Sequence, residues 1–185
     1  MENSRIILGI DPGSNLMGYG IIRAEKKTPL LLEMDVFNMS KLKGHFNKLA
    51  RIFELTDELI KKFNPNELAI EAPFYGKNIQ SMLMLGRAQG VAIAAALSND
   101  LPIYEYAPRK IKMSITGQGN ASKEQVAMIL QKILNFKDMP SKLDATDGLS
   151  VAVCHYYQNN ITKTTPAFKS WKDFIIHNPG RIKKL

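Results

Sequence analysis

Four carboxylates stand apart from the other acidic residues of this chain because of where they fall. Asp11 closes the apolar run "RIILGID" and Glu71 follows "LAI" in "ELAIEAPF", so each ends a segment that otherwise reads as a buried strand. If those strands are neighbours, both carboxylates project from one sheet edge. Asp144 and Asp147 stand three apart in "DATDGLSVAV", on one face of a helix's first turn. Taken alone, that pair is accounted for by the negative charge a helix N-terminus tolerates. Taken together, the four make a different case. Clustered carboxylates repel one another, and burial raises their pKa values unless cations compensate. An all-oxygen set suits hard divalent ions such as Mg²⁺ or Mn²⁺. His45, His155 and His177 are scattered, and with Cys154 the only cysteine there is no zinc pattern. Two ions about 3.5–4 Å apart, sharing a carboxylate, activate a water and stabilise the leaving oxygen of a phosphodiester. A rigid sheet edge holds such a ligand better than a loop does.

The elements that must position these residues follow from hydrophobic periodicity. "RIILGID", "MGYGIIRAE" and "LLLEMDVFNM" read as an antiparallel meander. Phe46, Leu49, Ile52, Phe53, Leu55, Leu59 and Ile60 recur at helical spacing up to a stop at Pro65. "ELAIEAPF" is a fourth strand and "LPIYEYAP" a fifth. Between them "NIQSMLMLGRAQGVAIAAALSND" makes a long helix, apolar nearly all round, whose Gly86 and Gly90 permit close approach of another backbone. "SKEQVAMILQKILNF" is an amphipathic helix with Ser122 as its N-cap, and "KLDATDGLSVAVCHYYQ" opens a last one in which Cys154 is a buried thiol. The order predicts one α/β domain with a mixed sheet over residues 1–158. A basic extension over 159–185, ending "RIKKL", is expected to be mobile unless DNA or a partner holds it.

Composition narrows the function classes. A net charge of +8 and a pI near 9.5 point to an anionic partner, with nucleic acid the default. No run approaches the roughly 18 apolar residues of a membrane span. The chain enters a strand almost at once, leaving no room for a signal peptide, and a lone cysteine fits a reducing compartment. The expectation is a soluble, cytoplasmic protein.

Five segments in order, "ILGIDPGSNLMGYGII", "LAIEAPFYGKN", "LGRAQGVAIAAAL", "YEYAPRKIKMSITGQGNASKEQV" and "DATDGLSVAV", resemble the RuvC family of bacterial Holliday-junction resolvases. "GIDPG" alone is shared across the ribonuclease H-like superfamily, whereas the ordered set from about Arg5 to Tyr157 is specific. The resemblance implies a ribonuclease H-like fold with a five-stranded mixed sheet, three strands antiparallel and then parallel ones, flanked by helices. It implies a homodimer whose subunits each cut one strand of four-way junction DNA. Such an enzyme is a Mg²⁺-dependent endodeoxyribonuclease, with Mn²⁺ substituting and two ions per site. It leaves 5′-phosphate and 3′-hydroxyl ends by paired, symmetric nicks in strands of like polarity. The branch-migration proteins RuvA and RuvB are implied partners, in recombination and DNA repair.

Residue by residue, the family's catalytic metal ligands fall on Asp11, Glu71, Asp144 and Asp147. On residue chemistry alone, Phe74 or Tyr75 reads first as packing under the next helix; the resemblance instead puts the family's junction-inserting aromatic on Phe74. Lys77 and Asn78 lie where a phosphate contact is expected. Lys112 and Lys123 match basic positions near DNA and the active site, with Arg109 and Lys110 as neighbouring alternatives. "GQGNAS" leads into a helix N-terminus and can offer backbone N–H groups to phosphate. The region of the long apolar helix is where the family dimerises. Met17 stands where a threonine is common, and Ala72-Pro73 replaces a more polar pair; neither removes a ligand.

Three rival readings are weaker. RuvX/YqgF-like proteins share the opening but are typically shorter and lack "YEYAPRKIK" and "GRAQG". A sugar-kinase-like phosphotransferase needs two related domains. A non-enzymatic junction binder gains nothing from four carboxylates beside phosphate.

Overall fold

Ile6–Asp11 (β1) lies at the centre of a five-stranded sheet, paired along both of its edges. Leu16–Arg23 (β2) runs antiparallel to it, and Leu30–Asn38 (β3) antiparallel to β2. On the other side Glu67–Glu71 (β4) and Ile103–Tyr106 (β5) run parallel, giving the order β3-β2-β1-β4-β5. This is the expected mixed sheet. The helices are His45–Phe63 (α1), Ile79–Leu97 (α2), Pro108–Thr116 (α3), Lys123–Leu134 (α4) and Asp144–Thr164 (α5). The computed structural model describes residues 5–73 and 78–164, with 160–164 described by backbone alone.

The two-residue period of a strand sends alternate side chains to opposite faces, and here each face carries its own core. Leu8 and Ile10 of β1, Met17, Tyr19 and Ile21 of β2, and Leu68 and Ile70 of β4 pack under α1 and α2. Ile7, Ile22, Ala69 and Tyr106 pack under α3, α4 and α5. By the same alternation, Asp11 shares the α5 face with Ile7, and Glu71 shares it with Ala69. The parallel pairing of β1 with β4 puts both carboxylates at the same edge.

One element differs from the sequence expectation. The segment "PRKIKMSIT", read only as a basic stretch, is the helix α3. It opens with a proline at its first turn, buries Ile111 and Ile115 one turn apart, and ends at Gly117 with φ 73°. The last helix, whose opening the sequence marks without an end, runs to Thr164. The reading of Ser122 as an N-cap is correct: its side chain accepts from the Gln125 N–H in a full capping box. Gly86 and Gly90 bring no backbone close among the described residues, where a Cβ on either would meet open space.

The decisive packing feature is how near α5 comes to the sheet. A Cβ on Gly18 would lie 1.8 Å from the Asp144 carbonyl oxygen, and one on Gly148 would lie 2.4 Å from the Gly18 carbonyl carbon. Gly9 and Gly20, paired across β1 and β2, are as tightly covered by Gly148, Ala152 and Leu149. Bare backbone on both surfaces lets the first turns of α5 rest directly on the strands. Gly18 pairs with Asp11, so the same contact sets Asp144 and Asp147 beside that carboxylate.

Gly18→Ala should force α5 outward. Overpacking of this kind costs about 1–3 kcal/mol. At roughly 2–4 °C per kcal/mol for a chain of this size, the loss should show as a clear fall in Tm by circular dichroism. DNA cleavage should fall with it, even at temperatures where the variant remains folded.

Candidate active site

Asp11, Glu71, Asp147, Lys112 and Lys123 line one cleft of ≈ 230 Å³, together with Pro108, Ile111, Val126 and Ser150. Each comes from a different place in the chain: the ends of β1 and β4, the first turn of α5, the middle of α3 and the start of α4. Asp144 is not part of the lining. It stands at the rim, with Oδ1 3.5 Å from the Lys123 ammonium. Lys123 also donates to Oδ2 of Asp147, so one ammonium joins both α5 carboxylates.

Burial and repulsion leave these acids short of positive charge. Asp11 is pushed up to about 6, first by burial and then by Asp147 and Asp144, with Lys123 opposing. Glu71 is pushed up to about 8 by burial and by Asp11 and Asp147, against the pull of Lys123 and Lys112. Asp147 is also raised, with burial again the largest cause. Burial lowers the pKa of Lys123, but its bond to Asp147 and the attraction of Asp147, Asp144 and Asp11 leave it raised.

An all-oxygen set that resists carrying its full negative charge fits a hard divalent cation, which would supply the missing charge. The residues that would hold it are Asp11, Glu71, Asp147 and Asp144. As they stand, no three acidic, histidine or cysteine side chains among the described residues are gathered tightly enough to enclose one ion. The Lys123 ammonium lies among them instead.

Several residues around the site have settled structural tasks. Asn78 caps α2, its Oδ1 accepting from the Ser81 N–H at 3.1 Å. Phe74 and Lys77 lie outside the described residues. Met17 is fully buried among the α1 and α2 side chains, on the sheet face opposite Asp11, so no hydroxyl at that position would reach the site from there. The Ala72 N–H donates to the Tyr106 carbonyl at 2.9 Å, carrying the β4–β5 pairing one residue past Glu71.

Sequence reasoning missed two supports. Gln89, buried in α2, donates from Nε2 to the Glu71 carbonyl at 3.3 Å and also bonds the Glu105 carboxylate, fixing the end of β4. The available signal was one amide beside the apolar second half of α2. His155 is fully buried, with Nδ1 2.6 Å from the Tyr106 hydroxyl and Nε2 2.6 Å from the Glu67 carboxylate. Burial holds its pKa below the usual value. The ring bridges Tyr106 and Glu67, tying α5 to β5 and β4.

Residues 7–155 match the family model described as "Crossover junction endodeoxyribonuclease RuvC". The chain belongs to the RuvC family. A relative of that name from Christiangramia forsetii is 55% identical over 183 residues, covering 99% of this chain and 95% of the relative. One from Cytophaga hutchinsonii is 56% identical over 181 residues, covering 98% and 90%. Among solved structures, Thermus thermophilus RuvC in complex with a Holliday junction substrate superposes with a TM-score of 0.79 at 28% identity. That match covers 85% of this chain and 96% of the other. The ribonuclease H-like fold and the family expectation both stand. No helix of the described residues is long and apolar enough to cross a membrane.

The raised carboxylates predict a specific pH dependence. An acid whose folded pKa exceeds its unfolded value keeps its proton longer when folded, so stability falls as pH rises between the two values. For Asp11 and Glu71 that window runs from about pH 4 to about 8. Metal-free Asp11→Asn should therefore show a flatter Tm profile across pH 4–8 than the unmodified protein, and a higher Tm at pH 8. Equal slopes in differential scanning calorimetry would contradict this charge arrangement.

Proposed function

We propose that this protein is a Holliday-junction resolvase, a Mg²⁺-dependent endodeoxyribonuclease that makes paired, symmetric nicks in two strands of like polarity. The observation that carries the reading is the convergence of Asp11, Glu71, Asp147 and two lysines on one cleft, with Asp144 at its rim, in a RuvC-family chain. The Thermus thermophilus relative, which shares the fold over 85% of this chain, was solved with a Holliday junction substrate.

In this reading Asp11, Glu71, Asp144 and Asp147 are both metal ligands and catalytic residues. Bound Mg²⁺, two ions per site with Mn²⁺ able to substitute, would supply water activation and Lewis-acid stabilisation of the leaving oxygen. The chain's own residues orient the substrate. Lys112 and Lys123 face the same cleft and hold the scissile phosphate or offset transition-state charge. Lys77 and Asn78 contact the DNA backbone, Asn78 through the amide hydrogens its capping oxygen leaves over. Phe74 stacks on a base that the crossover unpairs. Cleavage leaves 5′-phosphate and 3′-hydroxyl ends that can be religated.

Cutting two strands symmetrically requires two sites at a fixed separation, and the outer surface of α1 and α2, on the sheet face opposite the cleft, supports a homodimer. Phe46 of α1 is 79% exposed, and Ile79 and Leu83 of α2 are 71% and 58% exposed. A Cβ on Gly86 or Gly90 of α2 would meet nothing among the described residues. Such an apolar helix face is what a second copy would cover. The nuclease domain spans 1–158, with 159–185 a basic extension. The setting is cytoplasmic recombination and DNA repair alongside RuvA and RuvB.

The test is cleavage of a synthetic mobile four-way junction in Mg²⁺, against linear duplex of matched sequence. Paired ligatable nicks in the junction alone are expected. Asp11→Asn should lose at least about 100-fold in rate while still binding the junction in EDTA. Binding without cutting in either Mg²⁺ or Mn²⁺ would overturn the proposal.

A further inference from the structure

Lys123 is held differently from an ordinary surface lysine. Its backbone opens α4 and is pinned there by the reciprocal capping box, in which Gln125 N–H donates to Ser122 Oγ at 3.3 Å and Ser122 N–H to Gln125 Oε1 at 2.9 Å. The side chain is half exposed, at 50%, and reaches from solvent toward carboxylates that are much less so, Asp147 at 15% and Asp144 at 31%. It can withdraw along its own torsions without any change in the fold. Asp147 and Asp144, both on the first turn of α5, are joined to the rest of the cleft by this ammonium.

The placement is where a cation is needed and where a second one cannot also fit. The Lys123 ammonium contacts carboxylate oxygens of both Asp144 and Asp147, and it draws down the raised Asp11 and Asp147. An ammonium and a divalent ion on the same oxygens would repel at contact distance.

We propose that Lys123 is a built-in counter-cation, which occupies the Asp144–Asp147 pair in the metal-free protein and must leave it for a divalent ion to load. The inference rests on the metal-dependent nuclease reading and adds to it a competition between one named side chain and the ion. It has a consequence for substrate. The displaced ammonium stays tethered at the cleft beside Lys112, where a DNA phosphate can receive it. By linkage, an anion that draws Lys123 off the pair raises the site's affinity for metal, and metal raises its affinity for the anion. Loading would then be favoured on DNA and disfavoured off it.

The experiment is Mn²⁺ binding to the full chain without DNA, read from the electron paramagnetic resonance signal of the free ion. Lys123→Met and Lys123→Gln remove the charge, and Lys123→Arg keeps it. Both neutral variants should bind Mn²⁺ about tenfold more tightly than the unmodified protein, with Lys123→Arg close to it. Their Tm should be lower without metal and rise further on adding Mn²⁺, because the acid pair has lost its counter-ion. Equal or weaker Mn²⁺ binding by either folded neutral variant overturns the inference. If the unmodified protein binds Mn²⁺ and cuts junctions in that case, the nuclease reading survives alone. If neither it nor the variants bind Mn²⁺, the inference and the metal-dependent reading fall together.

Discussion

Helix α5 lies on strands β1 and β2 backbone against backbone, and the active cleft depends on that approach. Helices usually stand off a sheet by the thickness of two side-chain layers. Here Gly9, Gly18 and Gly20 on the strands face Gly148 and its neighbours on the helix, and a Cβ on any of the four would lie within 2.5 Å of the opposing backbone. The closeness lets short acidic side chains from the first turn of α5 share a cleft with the end of β1. With a normal spacing, aspartates on the helix would need longer arms. The His155 contacts to Tyr106 and Glu67, two turns further along α5, tie the same helix to β5 and β4.

The cleft so made is electrostatically costly. Burial and mutual repulsion oppose the ionised forms of Asp11 and Glu71 and raise both above the usual carboxylate range. A site of this kind destabilises the metal-free fold and gains most from a cation, the usual bargain between function and stability. The lysines moderate the cost from the other wall, Lys123 by direct ion pairing and Lys112 by proximity. Their helices α3 and α4 pack against α5, so the wall carrying cations and the helix carrying anions belong to one core.

The two sheet faces divide the work. The α5 face carries the proposed active cleft. The α1–α2 face buries Met17 and the large aliphatic residues of β1, β2 and β4, and turns Phe46, Ile79 and Leu83 outward. Gln89 connects the faces: from α2 it holds the backbone of Glu71 and the side chain of Glu105. A surface suited to a second copy is thus coupled through one amide to the strand that presents a proposed ligand.

Much of this was legible in the sequence. Periodicity located five strands and four of the five helices, and the strand-end positions of Asp11 and Glu71 singled them out before any family likeness was invoked. Helix α3 escaped notice because only two of its nine residues, Ile111 and Ile115, are buried, too few to set a visible period. Gln89 escaped because one amide in an apolar helix has no pattern to break. The sequence by itself determined which residues are strand, helix and acid, since those depend on local spacing and side-chain chemistry. Only the tertiary structure decided that Lys123 lies between Asp144 and Asp147, that Met17 faces away from Asp11, and that glycines let α5 touch the sheet. Each of those depends on distances between segments far apart in the chain, which packing sets and local pattern does not encode.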